Sequence, residues 1–128
     1  MIAMADGAFD LRPDEARLLL NVALMATGKN FFKSATKILA ALEGFRPGVE
    51  SVGTAKVILM ISIGEFEMAV DYIDREALVK WPDSAMLRAF RGMALIRMGR
   101  REAARDCLME AAQSADEAAA NLARGLLE

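Results

Sequence analysis

Prolines punctuate this chain at a nearly constant interval: Pro13, Pro47 and Pro82 stand 34 and 35 residues apart. Glycines follow at much the same period, with Gly28, Gly64 and Gly99 lying 36 and 35 apart. Recurring punctuation constrains a chain to a series of like units, each burying its apolar side on the next. The contexts agree as well: Leu11-Arg12-Pro13-Asp14, Phe45-Arg46-Pro47-Gly48 and Val79-Lys80-Trp81-Pro82-Asp83. Each proline is expected to open a helix, because a first-turn N–H would have no partner. Asp14, Glu15 and Asp83 suit that end of the helix dipole. Each glycine is expected to close the helix in the left-handed conformation. An alanine lies five residues beyond Gly64 and Gly99 (Ala69 and Ala104) but seven beyond Gly28 (Ala35), which predicts a longer first corner.

A unit of about 34 residues, two helices joined by such a corner, resembles the tetratricopeptide repeat. In that family an aromatic wedge and a small residue follow the corner glycine, and Phe66 and Ala69 match them. Ala104, Ala111 and, in the preceding helix, Gly92 also fall at small positions. Arg88 and Arg91 stand where the family has Trp and Leu, and Arg101 replaces the aromatic, so the third unit is degenerate. The resemblance implies an all-α fold: a right-handed superhelix of three tetratricopeptide-like helix pairs plus a C-terminal capping helix, in one domain. Residues 1–12 would form an N-terminal extension, 13–46, 47–81 and 82–113 the repeats, and 114–128 the cap. Seven helices are expected, near 13–26, 31–43, 49–62, 66–78, 83–98, 101–113 and 115–127.

Composition narrows the function. The chain is 55 % apolar, yet no apolar run approaches the roughly 18 residues of a spanning helix. The start, MIAMADGAFD, lacks a basic region followed by an apolar stretch, so a cytoplasmic protein without membrane insertion is expected. A net charge of −2 argues against nucleic-acid binding through phosphate neutralisation. Histidine is absent, which removes the commonest general base and metal ligand. With no phosphate-binding glycine loop or nucleophile motif either, no enzyme activity, metal or cofactor is expected. The single cysteine, Cys107, is expected in the core.

The second helices have ordinary amphipathic patterns: Phe66, Ala69, Val70, Ile73 and Ala77 on one side, Glu67, Asp71, Asp74 and Arg75 on the other. Ala104, Cys107, Leu108 and Ala111 likewise oppose Arg101, Arg105 and Asp106. The first helices are too apolar for that, and Val57–Ile61 is apolar all round. Such helices need partners on more than one side. Carried over from the repeat family, the concave positions are Leu18, Val22 and Met25, then Thr54, Ile58 and Ile61, then Met86, Ala89, Met93 and Ile96. That lining lacks the Lys, Arg or Asn of a peptide-carboxylate clamp and suits the apolar face of a helix. Nine methionines fit an adaptable surface, or gap-filling in a helical core. A foreign helix, the C-terminal helix or a second copy could each fill the groove. The Arg97, Arg100, Arg101 and Arg105 cluster reads as a solvated corner or a contact for an acidic partner.

Over residues 13–113 the chain also resembles the small chaperones of bacterial type III secretion, above all needle-subunit chaperones and related Hrp-system proteins. The stretches that carry this are Val22-Ala23-Leu24-Met25-Ala26-Thr27-Gly28, Phe45-Arg46-Pro47 and Met60 to Ala69. The resemblance implies a cytoplasmic chaperone that holds an amphipathic helix of a secretion subunit before export. A small co-chaperone would be a second partner. The competing expectation is a homo-oligomeric scaffold of the same machinery, dimeric through its apolar surface.

Overall fold

The computed structural model describes residues 11–128, and every regular element among them is helical. The order is α1 (Pro13–Gly28), α2 (Phe32–Phe45), α3 (Glu50–Ile63), α4 (Phe66–Tyr72), a π-helical turn (Ile73–Ala77), α5 (Leu78–Lys80), α6 (Ala85–Arg97), α7 (Arg101–Ala112) and α8 (Glu117–Leu127). The α4, π and α5 segments run on as one helical stretch, so seven helical stretches stand where seven were expected. The expected extension 1–12 lies almost wholly outside the described residues. Contacts divide the chain into two compact units, Met1–Leu59 and Met60–Glu128, with the boundary inside α3.

The corners repeat more strictly than the glycines suggest. Gly64 and Gly99 take φ of 96° and 80°, but the left-handed residue of the first corner is Asn30, at 66°. Gly28 is the last residue of α1 and does not turn the chain. Asn tolerates this conformation better than most residues because its short amide can bond locally. In all three corners the next N–H reaches back five residues at 2.8 Å: Phe31 to the Ala26 carbonyl, Glu65 to Met60 and Arg100 to Leu95. This is the bond that closes helices at a left-handed cap. The first corner is therefore not longer. Ala35, Ala69 and Ala104 each lie five residues past the left-handed residue, and all three are buried.

Counted this way, each proline precedes its corner residue by 17 positions. The one extra residue in the longer interval falls between Gly64 and Pro82, where the π-turn Ile73–Ala77 sits. A π-turn absorbs one residue without breaking the helix. Its effect is visible in the core: Leu42 and Ala111 are buried 12 residues past their corners, whereas Ala77 is buried 13 past and Glu76, at 12, is exposed.

Only Pro13 opens a helix directly, with Asp14 and Glu15 in the first turn and Glu15 Oε1 accepting the Arg12 N–H at 2.9 Å. Pro47 and Pro82 lie in turns three residues ahead of α3 and α6. For α6 a stronger start signal wins: Ser84 accepts the Leu87 N–H at 3.2 Å, a standard N-cap. Asp83 therefore lies outside the helix. Asp116 caps α8 in the same way, on the Ala119 N–H.

In the first unit, Ala23 and Ala26 of α1, Ala35, Leu39 and Leu42 of α2, and Val52, Ala55 and Leu59 of α3 form one core. In the second, Ala89 and Leu95 of α6 pack with Ala104, Cys107, Leu108 and Ala111 of α7 and Ala123 of α8. Small residues let these helices approach closely. At Gly92 a Cβ would stand 2.5 Å from both Cγ and Cδ2 of Leu108. The inward and outward faces of α4 and α7 are as the pattern predicts, and Cys107 is buried.

Candidate functional site

The corner register decides which first-helix residues correspond. Thr54, Ile58 and Ile61 lie ten, six and three residues before Gly64; Ala89, Met93 and Ile96 lie at the same distances before Gly99. Measured from Asn30, their counterparts in α1 are Leu20, Leu24 and Thr27. Leu18, Val22 and Met25 stand two residues out of this register, an offset that comes from taking Gly28 as the turning residue. They occupy a different row of α1 and are exposed.

Within the corresponding row, exposure varies with depth. Leu20 and Leu24 in α1, Thr54 and Ile58 in α3, and Met93 and Ile96 in α6 are half-buried, as is Met86 one turn earlier on α6. Thr54 donates its hydroxyl to the Glu50 carbonyl at 3.1 Å. Two expected lining residues are not available. Ala89 is fully buried in the α6–α7–α8 core, where a small side chain permits close packing. Ile61 is also buried, like its counterpart Thr27, so it points into the protein and not at a partner. Ile96 packs partly against the α6–α7–α8 core.

The two arginines at degenerate positions of α6 are structural. Arg91 makes a two-armed ion pair with Asp74 of the π-turn, Nε to Oδ1 at 2.7 Å and Nη2 to Oδ2 at 3.2 Å. Its third nitrogen donates to Cys107 Sγ at 3.7 Å. Asp74 holds the Arg91 pKa above its ordinary value against the opposing effect of partial burial, and Cys107 adds to the rise. Arg88 reaches the Ser84 carbonyl at 3.3 Å and Glu110 at 3.5 Å. In the first unit Lys56 of α3 pairs with Glu43 of α2 at 3.0 Å. Each of these bridges ties a first helix to a neighbouring second helix, and the sequence alone did not single them out as pairs. Their signal is positional: Lys56 and Arg91 both lie eight residues before a corner.

The Arg-rich corner remains solvated. Arg97, Arg100, Arg101 and Arg105 are exposed, and Arg97 lies over the Phe66 ring, 5.2 Å from its centre. Among the described residues no group of three or more His, Cys, Asp or Glu is arranged to hold a metal ion, and no helix is long and apolar enough to cross a membrane.

Among the described residues the regular structure is all helical, and α1, α3 and α6 carry half-buried apolar rows. No protein-family model, curated protein or solved structure matches the chain.

Proposed function

We propose that this protein is a helix-binding module of the tetratricopeptide kind, acting as a cytoplasmic chaperone for a type III secretion subunit. In this reading the three helix pairs and α8 form the right-handed superhelix with its cap, and the apolar rows of the first helices line the concave groove. The observation that carries it is the recurrence, in register, of half-buried apolar side chains: Leu20 and Leu24, Ile58, then Met93 and Ile96. Half-burial suits a binding row: the side chains are held in place by their neighbours yet keep apolar area free for a partner.

The partner that fits is the apolar face of an amphipathic helix. A subunit that polymerises through such faces must keep them covered until export, and Met93, with Met86 further back on α6, can adapt to its shape. Affinity would come from buried apolar area, at about 25 cal/mol per Å2, less large association costs. Binding needs no catalytic group and no cofactor. A small co-chaperone would cover a further apolar surface.

Co-expression with small helical needle-type subunits should give a stable complex that Ile58→Asp or Met93→Asp abolishes. Mutants that bind as well as the wild type would remove the groove from the account. The second reading, a self-assembling scaffold, is favoured by one separate observation, the exposed row on α1.

A further inference from the structure

The outer row of α1 is one that the other first helices keep covered. Positions twelve, eight and five before the corner are Leu18, Val22 and Met25 in α1, Val52, Lys56 and Leu59 in α3, and Leu87, Arg91 and Ala94 in α6. In α3 the two outer members are buried and Lys56 pairs with Glu43 on the helix before it. In α6 the outer members are again buried, and Arg91 pairs with Asp74 on the helical stretch before it. In α3 and α6 the central position of this row thus ties the first helix to the preceding second helix by a cation–carboxylate pair, flanked by two buried apolar residues.

Among the described residues no helix precedes α1. Its row is 64 %, 40 % and 62 % exposed, and the central position holds Val22 in place of a cation. An all-apolar row calls for an apolar row opposite. The charges at its two ends say which. Asp14 and Glu15 lie one turn before Leu18, where each also meets the exposed Arg12 guanidinium at 3.5 and 3.7 Å, and Lys29 lies one turn after Met25. Turned antiparallel about Val22, two copies of this row bring Leu18 of each near Met25 of the other. The same rotation sets Lys29 of each against the Asp14 and Glu15 end of the other. The row is therefore complementary to itself in shape class and in charge, which a two-fold interface requires.

We propose that α1 is the face of an isologous homodimer, in which α1 of a second copy takes the place a preceding second helix has in the later pairs. The proposal concerns α1 alone and stands independently of any client. Sedimentation equilibrium on the full 128-residue chain should show a dimer. Met25→Asp, an exposed change that leaves the circular dichroism unaltered, should weaken it by about a hundredfold or more, because the lesion occurs twice per interface. Lys29→Glu and Asp14→Lys should each weaken the dimer, and the double variant should restore it, since the swapped charges meet in trans. A monomeric wild type, or a dimer that Met25→Asp leaves intact, would overturn the proposal. If the wild type is monomeric and a chain lacking residues 1–10 dimerises, the row belongs to that segment instead.

Discussion

Replacing Gly92 by alanine sets two physical effects of known sign against each other. In an exposed helix the change would stabilise by about 1 kcal/mol, because alanine loses less backbone freedom on folding. Here the added Cβ would stand 2.5 Å from both Cγ and Cδ2 of Leu108, which is itself 1 % exposed and walled in by the α6–α7 core. Overpacking a filled core costs about 1–3 kcal/mol, and contact with two carbons at once puts this site in the upper half of that range. The net expectation is a loss of about 1–2 kcal/mol, a fall in Tm of roughly 3–8 °C for a chain of this size. Thermal and urea unfolding followed by circular dichroism would measure it. The cause is tested by repeating the change in a Leu108→Ala background. There the obstructing carbons are gone, and Gly92→Ala should be neutral or stabilising. A rise in Tm in the wild-type background, or the same loss in both, would refute the close-approach argument.

Two further outcomes follow from the corner register. Deleting Glu76 from the π-turn should let α4 run on as a regular helix and change stability by less than about 1 kcal/mol, because the turn exists to absorb one residue. Deleting Ala41 from α2, which has no such turn, should rotate Leu42 out of the core and cost at least about 2 kcal/mol; equal losses from both deletions would count against the insertion. At the corners, Asn30→Gly should be neutral or mildly stabilising. Gly64→Ala should cost about 1–2 kcal/mol by the strain of the left-handed backbone alone, since no atom lies within 4 Å of the added Cβ; chemical denaturation of both variants checks this.

Much of this architecture is legible in the residues, and the parts that are not share one physical cause. Helix count and approximate ends follow from proline, glycine and apolar spacing, because these act locally. The inward faces of α4 and α7 follow from periodicity. What misleads is the choice of Gly28 as the first corner. Asn30 can hold the same backbone, and nothing in the glycine spacing says so until the proline-to-corner distance of 17 residues is compared across all three pairs. That two-residue offset moves the expected α1 lining from Leu20 and Leu24 to Leu18, Val22 and Met25. Likewise Ala89 looks like part of an apolar stripe, but small size serves helix approach, and only packing reveals that. Arg91 looks like a degenerate position until Asp74, 17 residues away in the chain, appears 2.7 Å from it.

The central claim, that half-buried apolar rows of the first helices hold a partner helix, is tested most directly through the methionine methyl groups. A chain labelled with 13C at its methionine methyls, titrated with a needle-type subunit, should show large shifts at Met86 and Met93. The exposed Met68 and Met109, which lie on second helices, should stay in place. Shifts confined to Met68 and Met109, with Met86 and Met93 unmoved, would contradict the account.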